Sequence, residues 1–118
     1  MLYQNIAGAE IEGLSLASEQ EGPTIVHLLQ GEMDHFTSPK EWDATQPANG
    51  LRPSKVVVDL GGVSFMDAGG INFLHRTHGN VRNTGGEMIV RNASDRAREL
   101  FEIVGLSEYF VLDPVKTK

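Results

Sequence analysis

The residue types able to do chemistry are few, and most fall in one stretch, Lys55 to Leu74, which reads K-V-V-V-D-L-G-G-V-S-F-M-D-A-G-G-I-N-F-L. It offers a carboxylate at Asp67, a hydroxyl at Ser64 and two glycine pairs, Gly61 with Gly62 and Gly69 with Gly70; imidazoles follow at His75 and His78. Histidines three apart are neighbours on a helix, but no carboxylate stands at helical spacing to complete a ligand set, so no metal is expected. His27 lies alone in an apolar run, with no acid or second histidine at ligand spacing, and reads as a packed or edge residue. The glycine pairs do not match a dinucleotide fingerprint, and no Gly-Lys-Ser or Gly-Lys-Thr follows them, which argues against a phosphate cradle and leaves no cofactor to expect. The absence of cysteine removes disulfide scaffolds, thiol nucleophiles and thiolate metal sites together. What remains is Asp67, whose simplest role is a helix N-cap contributing about 1 kcal/mol through orphan N–H groups and the helix dipole.

The elements around Asp67 follow from pattern. Val56, Val57 and Val58 form a β-branched run without polar alternation, as in a central strand buried on both faces of a helix-covered sheet. Gly61 and Gly62 are expected to break that strand, with Val63, Phe65 and Met66 anchoring a loop. From Asp67 onward, Ile71, Phe73, Leu74, Thr77, His78 and Val81 share one helical face, while Asn72, Arg76, Gly79, Asn80 and Asn83 share the other. Two glycines in the first turn cost about 1 kcal/mol each relative to alanine, so either something offsets that cost or bare backbone is required there.

Upstream, residues 1–12 read as an arm or an extra strand. Leu14 and Leu16 alternate with small polar residues, Gln20 to Pro23 supply a turn, and Thr24 to Met33 is a second strand, so a hairpin is expected. Asp34 follows as a solvated or turn-capping carboxylate. Ser38, Pro39 and Glu41 have the order of an N-cap, N1 and N3, predicting a helix anchored by Trp42 and stopped by Pro47 and Pro53. Downstream, Glu87 to Asn92 is a strand, and Ser94 caps a helix whose Ala97, Leu100, Phe101 and Val104 repeat as a core stripe closed by Gly105. Tyr109 to Leu112 reads as a last short strand before a tail at 113–118. A hairpin followed by strand, helix, strand, helix predicts an α/β fold: a mixed sheet of four to five strands with about three helices, and the Asp67 turn at the carboxyl end of the central strand.

At 118 residues the chain is one domain by length, able to bury roughly two-thirds of its unfolded surface. Its formal net charge of -6 opposes binding to phosphate backbones, so no nucleic-acid partner is expected. No run approaches the length of a spanning helix and the N-terminus lacks a signal-peptide pattern, which fits a cytoplasmic protein without a membrane partner.

Taken in order, the runs L-L-Q-G-E-M-D-H-F-T-S-P, V-V-D-L, V-S-F-M-D-A-G-G-I, G-G-E-M-I-V-R-N and L-F-E-I-V-G-L resemble the STAS domain of bacterial anti-sigma factor antagonists, whose signature loop reads F-M-D-S-S-G-L. The resemblance runs from about Gly13 to Leu112, giving a domain at 13–112. It implies a protein-binding regulator, not an enzyme, that engages an anti-sigma factor of kinase-like ATPase fold and so frees a sigma factor. The implied docking residues are Met66, Asp67, Ala68, Gly69 and Gly70, with Asp34, Thr37 and Ser38 beside them. The family's phosphoacceptor serine falls on Ala68 and its second serine on Gly69, so the usual switch is missing; Ser64 and Thr77 are weak substitutes. Two further roles fit the resemblance: a ligand-sensing STAS module, and a non-switching scaffold subunit bound to other STAS proteins.

Overall fold

A computed structural model describes residues 4–5, 14–33, 44–47, 50–105 and 111–112. The first sizeable strands, β2 (Leu14–Glu21) and β3 (Thr24–Met33), pair antiparallel across the two-residue turn Gly22–Pro23, as the hairpin pattern predicts. Strand β4 (Lys55–Met66) adds parallel to β3, and β5 (Glu87–Arg91) parallel to β4, with helix α1 (Ala68–Asn83) between them in sequence. Helix α2 (Asp95–Ile103) then leads to β6 (Val111–Leu112), parallel to β5. At the other edge β1 (Gln4–Asn5) pairs with Ser18 and Ala17 of β2, so these residues take the extra-strand alternative. The described sheet thus has six strands in sequence order, four substantial ones flanked by two-residue edges.

The two crossovers that carry described helices, β4 to β5 and β5 to β6, step in the same direction along the sheet, and right-handed connections then place both of those helices on one face. A single core records this. Leu16, Leu29, Ile25, Val56, Val58, Met88 and Val90 alternate along their strands into a cluster shared by Ile71, Phe73, Leu74 and Val81 of α1 and by Ala97 and Phe101 of α2. Both described helices lie on one face of β4, and Val56 to Leu60 are buried in succession, as the unalternating run predicts. Val57 points to the other face and is still only 7% exposed, because β3 and β5 flank it, while Val26, Leu28 and Ile89 on that face are half-buried.

The face predicted for α1 is the face buried, and its C-terminus closes at Gly85 and Gly86. Gly85, at φ 81°, donates to the carbonyl of Arg82 at 2.9 Å, and Gly86 to that of Val81 at 3.0 Å, a Schellman ending. The stripe predicted for α2 holds only in part. Ala97 and Phe101 are buried and Leu100 partly so, but the helix ends at Ile103, and Val104 is its cap with 52% of its surface exposed. The i+7 position fails because the helix is too short to carry its stripe another turn.

His27 is packed, as expected of a lone histidine, and its surroundings define its tautomer. Nε2 lies 2.8 Å from the carbonyl of Ala44, which can only accept, so Nε2 carries hydrogen. Nδ1, 2.6 Å from the hydroxyl of Ser18, then accepts from that hydroxyl in the neutral ring. The imidazole is fully buried and ties Ala44 to the hairpin. The helix expected from Ser38, with Trp42, lies outside the described residues, as do Asp34 and Thr37.

Candidate functional site

The site is built by a strand that outruns its sheet. Strand β4 pairs with β5 only as far as Asp59 with Arg91, yet it stays paired with β3 to Met66 with Met33. Gly61 and Gly62 therefore do not end the strand. The β3 ladder steps from Leu28–Asp59 to Gln30–Gly62, and again from Gly31–Val63 to Glu32–Phe65, so β4 carries an extra residue at each point. Such bulges bend a strand and re-aim its side chains. The consequence falls on the apolar trio: Met66 turns inward at 7% exposure and Val63 packs against the core, but Phe65 is 51% exposed and does not anchor the chain.

The turn into α1 is fixed by three contacts. The N–H of Asp67 donates to the carbonyl of Met33 at 3.2 Å, the Asp67 carbonyl accepts the N–H of Ile71 at 3.1 Å, and Asp67 Oδ1 accepts the N–H of Gly69 at 2.8 Å. Asp67 is thus the N-cap, as its position predicts. Gly70 explains one of the two costly glycines, since a Cβ there would lie 2.6 Å from the carbonyl oxygen of Met33 and 2.8 Å from Cγ of Met66. The first turn of α1 presses on the end of β3, and only a hydrogen fits between them.

The predicted docking residues consequently divide. Ala68 is exposed and Asp67 and Gly69 are half-exposed, whereas Met66 and Gly70 are buried and support the turn from behind. The bareness of Gly70 serves contact with the chain's own β3, a correction to its reading as open surface for a partner. Ser64 is exposed and its hydroxyl makes a long bond, 3.3 Å, to the carbonyl of Gly31. Thr77 is buried with its hydroxyl donating to the carbonyl of Phe73 at 2.8 Å, which removes it as an accessible acceptor.

Beside the turn, the unpaired flank of β4 and the N-terminal half of α2 enclose a cleft of about 520 Å³. Leu60, Val63, Met66, Ala97 and Leu100 give it an apolar floor, and Ser94, Arg96, Phe65 and Ala68 stand among its lining. Asp59, which the sequence reading passed over, joins the two walls. Its Oδ1 accepts the N–H of Gly61 at 2.8 Å, while Oδ2 takes Arg91 Nη2 at 2.9 Å and Asn92 Nδ2 at 3.2 Å. A carboxylate inside an otherwise apolar strand run was the available signal, because a buried charge must find donors.

Among the described residues there is no group of three or more histidine, cysteine, aspartate or glutamate side chains placed to bind an ion. His78 is buried on α1 and its pKa is lowered, first by burial and then by the charges of Arg82 and His75, so the ring is neutral near pH 7. No described helix is long and apolar enough to cross a membrane.

Comparison with known proteins settles the family. The STAS domain profile matches residues 15–118, and an anti-sigma-B factor antagonist of Listeria monocytogenes is 30% identical over 98 residues, covering 83% of this chain and 86% of that protein. The chain belongs to the STAS domain family. Two solved structures share its fold: an anti-sigma factor antagonist from Mycobacterium paratuberculosis, with TM-score 0.66, 21% identity and coverage of 92% of this chain and 90% of that one, and the Bacillus cell fate determinant SpoIIAA in its phosphorylated form, with TM-score 0.60, 21% identity and coverage of 85% and 92%. In this STAS domain the signature turn F-M-D-A-G-G spans Phe65 to Gly70, with Met66 and Gly70 inward and structural and the other four residues partly or fully exposed.

Proposed function

We propose that this STAS protein is an anti-sigma factor antagonist whose binding is not gated by phosphorylation of its signature turn. Anti-sigma-B factor antagonists of Listeria are among its relatives, and SpoIIAA, which shares its fold, exists in a phosphorylated form. The observation that carries the reading is Ala68. It sits exposed at the start of α1, directly after the capping Asp67, at the position the resemblance assigns to the phosphoacceptor, and a methyl group accepts no phosphate. The partner is an anti-sigma factor of kinase-like ATPase fold. The docking surface comprises Asp67, Ala68 and Gly69, with Asp34, Thr37 and Ser38 as its further members, and the protein works by binding in the cytoplasm without catalysis. A phosphate placed there would add about two negative charges to a closely docked surface; without it, binding persists whatever the ATP supply.

The test is calorimetric titration of kinase-fold anti-sigma factors from the source organism, with intact-mass analysis after incubation with ATP. Wild-type protein is expected to bind and to gain no phosphate. Ala68→Asp is expected to weaken binding by about 2 kcal/mol or more, the scale of an unpaired charge in an interface. Equal affinity for Ala68→Asp removes the turn as the docking surface. A gain of one phosphate by the wild type moves the switch to another residue such as Ser64.

A further inference from the structure

We propose that the cleft between β4 and α2 is a second docking element for the same partner, taking an apolar side chain flanked by a carboxylate from the anti-sigma factor. The inference rests on the function proposed above and extends its contact surface from α1 to α2. Continuity places it there: Asp67 and Ala68 belong both to the docking turn and to the lining of the cleft, so a partner seated on Ala68 overhangs the opening.

The chemistry of the walls selects the occupant. At about 520 Å³ the cleft falls within the roughly 300–1,000 Å³ range of binding sites, and its floor is apolar. Phe65 stands beside this floor with 51% of its surface exposed, an aromatic group that gains most from being covered and the type that dominates binding hot spots. Among the described residues the lining carries one cation, Arg96, and one carboxylate, Asp67, whose Oδ1 accepts the N–H of Gly69. Arg96 meets Glu99 at 3.1 Å, but both side chains are well exposed, at 70% and 62%, and an exposed pair of this kind contributes little. A partner carboxylate arriving in a drier interface competes for the guanidinium on favourable terms. On a chain of net charge -6 this is a local site for an acidic group, and the apolar floor asks for a hydrophobic neighbour beside that acid.

The chain next to the cleft is braced by Asp59, whose carboxylate accepts the N–H of Gly61, beside Leu60 of the lining, and the side chain of Asn92, two residues before Ser94 of the lining. A Cβ at Gly61 would stand 3.0 Å from Asp59 Oδ1, so a side chain there would push on that carboxylate. Backbone fixed in this way lowers the ordering cost of binding.

The experiment titrates the purified anti-sigma factor that binds wild-type protein with four exposed-position variants, each checked for unchanged melting. Phe65→Ser and Arg96→Glu are expected to lose about tenfold or more in affinity, as hot-spot truncations do. Ile103→Ser, on the same helix but outside the cleft, is expected to stay within about twofold, like most contacts away from a hot spot. The affinity of Arg96→Gln is expected to depend less steeply on salt than that of the wild type. If Phe65→Ser and Arg96→Glu bind like wild type while Ala68→Asp is weakened, docking is confined to the turn and the cleft proposal falls alone. If Ala68→Asp also binds like wild type, the docking reading falls and takes the cleft with it. A change in oligomeric mass for Phe65→Ser in light scattering, or a small molecule retained by wild-type protein in native mass spectrometry, assigns the cleft to a second copy or a ligand and overturns the proposal.

Discussion

Helices α1 and α2 both start beside the cleft, each with a side-chain oxygen capping its first turn, yet the protein holds them very differently. Helix α1 spans 16 residues and buries Ile71, Phe73, Leu74, Thr77, His78 and Val81, whereas α2 spans 9 and buries only Ala97 and Phe101. The difference comes from position in the sheet. Helix α1 crosses from β4 to β5 and has long strands beneath it, while α2 crosses toward a two-residue edge strand and leaves Ile103 and Val104 in solvent. A STAS domain built this way presents its signature turn on its best-anchored helix and pairs it with a wall secured by two side chains.

That contrast breaks first at Phe101. If it is the main anchor of α2, Phe101→Ala should cost about 3–5 kcal/mol in urea unfolding, a large part of a small domain's stability. A loss below about 1 kcal/mol would mean that α2 is held elsewhere. Next is Gly70, where the added methyl group must push against the Met33 carbonyl. Gly70→Ala is expected to destabilise by about 1–3 kcal/mol despite alanine's better helix propensity, and a stabilised variant would mean that α1 does not press on β3 as described.

A smaller effect separates α1 by pH. The folded-state pKa of His78 is lowered, so between it and the unfolded value of 6.5 the unfolded chain binds more protons. The stability associated with the neutral ring is present above pH 6.5 and is lost as pH falls through the lowered pKa. The drop in melting temperature between about pH 7.5 and pH 5.5 should therefore be smaller in His78→Gln than in the wild type, and equal drops would remove His78 from the acid response. The smallest effect belongs to the exposed end of α2, where Val104→Ser should change stability by no more than about 0.5 kcal/mol; a core-sized loss would restore the longer stripe.

Much of this was legible in the sequence, and the parts that were share a cause. The buried face of α1, the caps at Asp67 and Ser94, the hairpin, the closure of α2 at Gly105 and the central place of β4 all arise from periods or caps spanning a few residues. The signature turn was legible as well, because its order of residues is local. What escaped depended on neighbours far along the chain. Gly61 and Gly62 look like a strand end until β3 is there to pair with them across two bulges. Phe65 looks like an anchor until those bulges turn it outward. Val104 fits the helical period and fails only because the helix stops one residue earlier.

The sequence by itself determined the α/β class, the order of elements, the Asp67 turn and the absence of a hydroxyl at Ala68, since composition, period and motif order need no third dimension. Only the tertiary structure decided that Gly70 is bare for the sake of Met33, that Asp59 is satisfied by Arg91 and Asn92, and that an apolar cleft opens beside the turn. Each of these joins residues more than thirty positions apart, in contacts that exist only once the strands have been laid side by side.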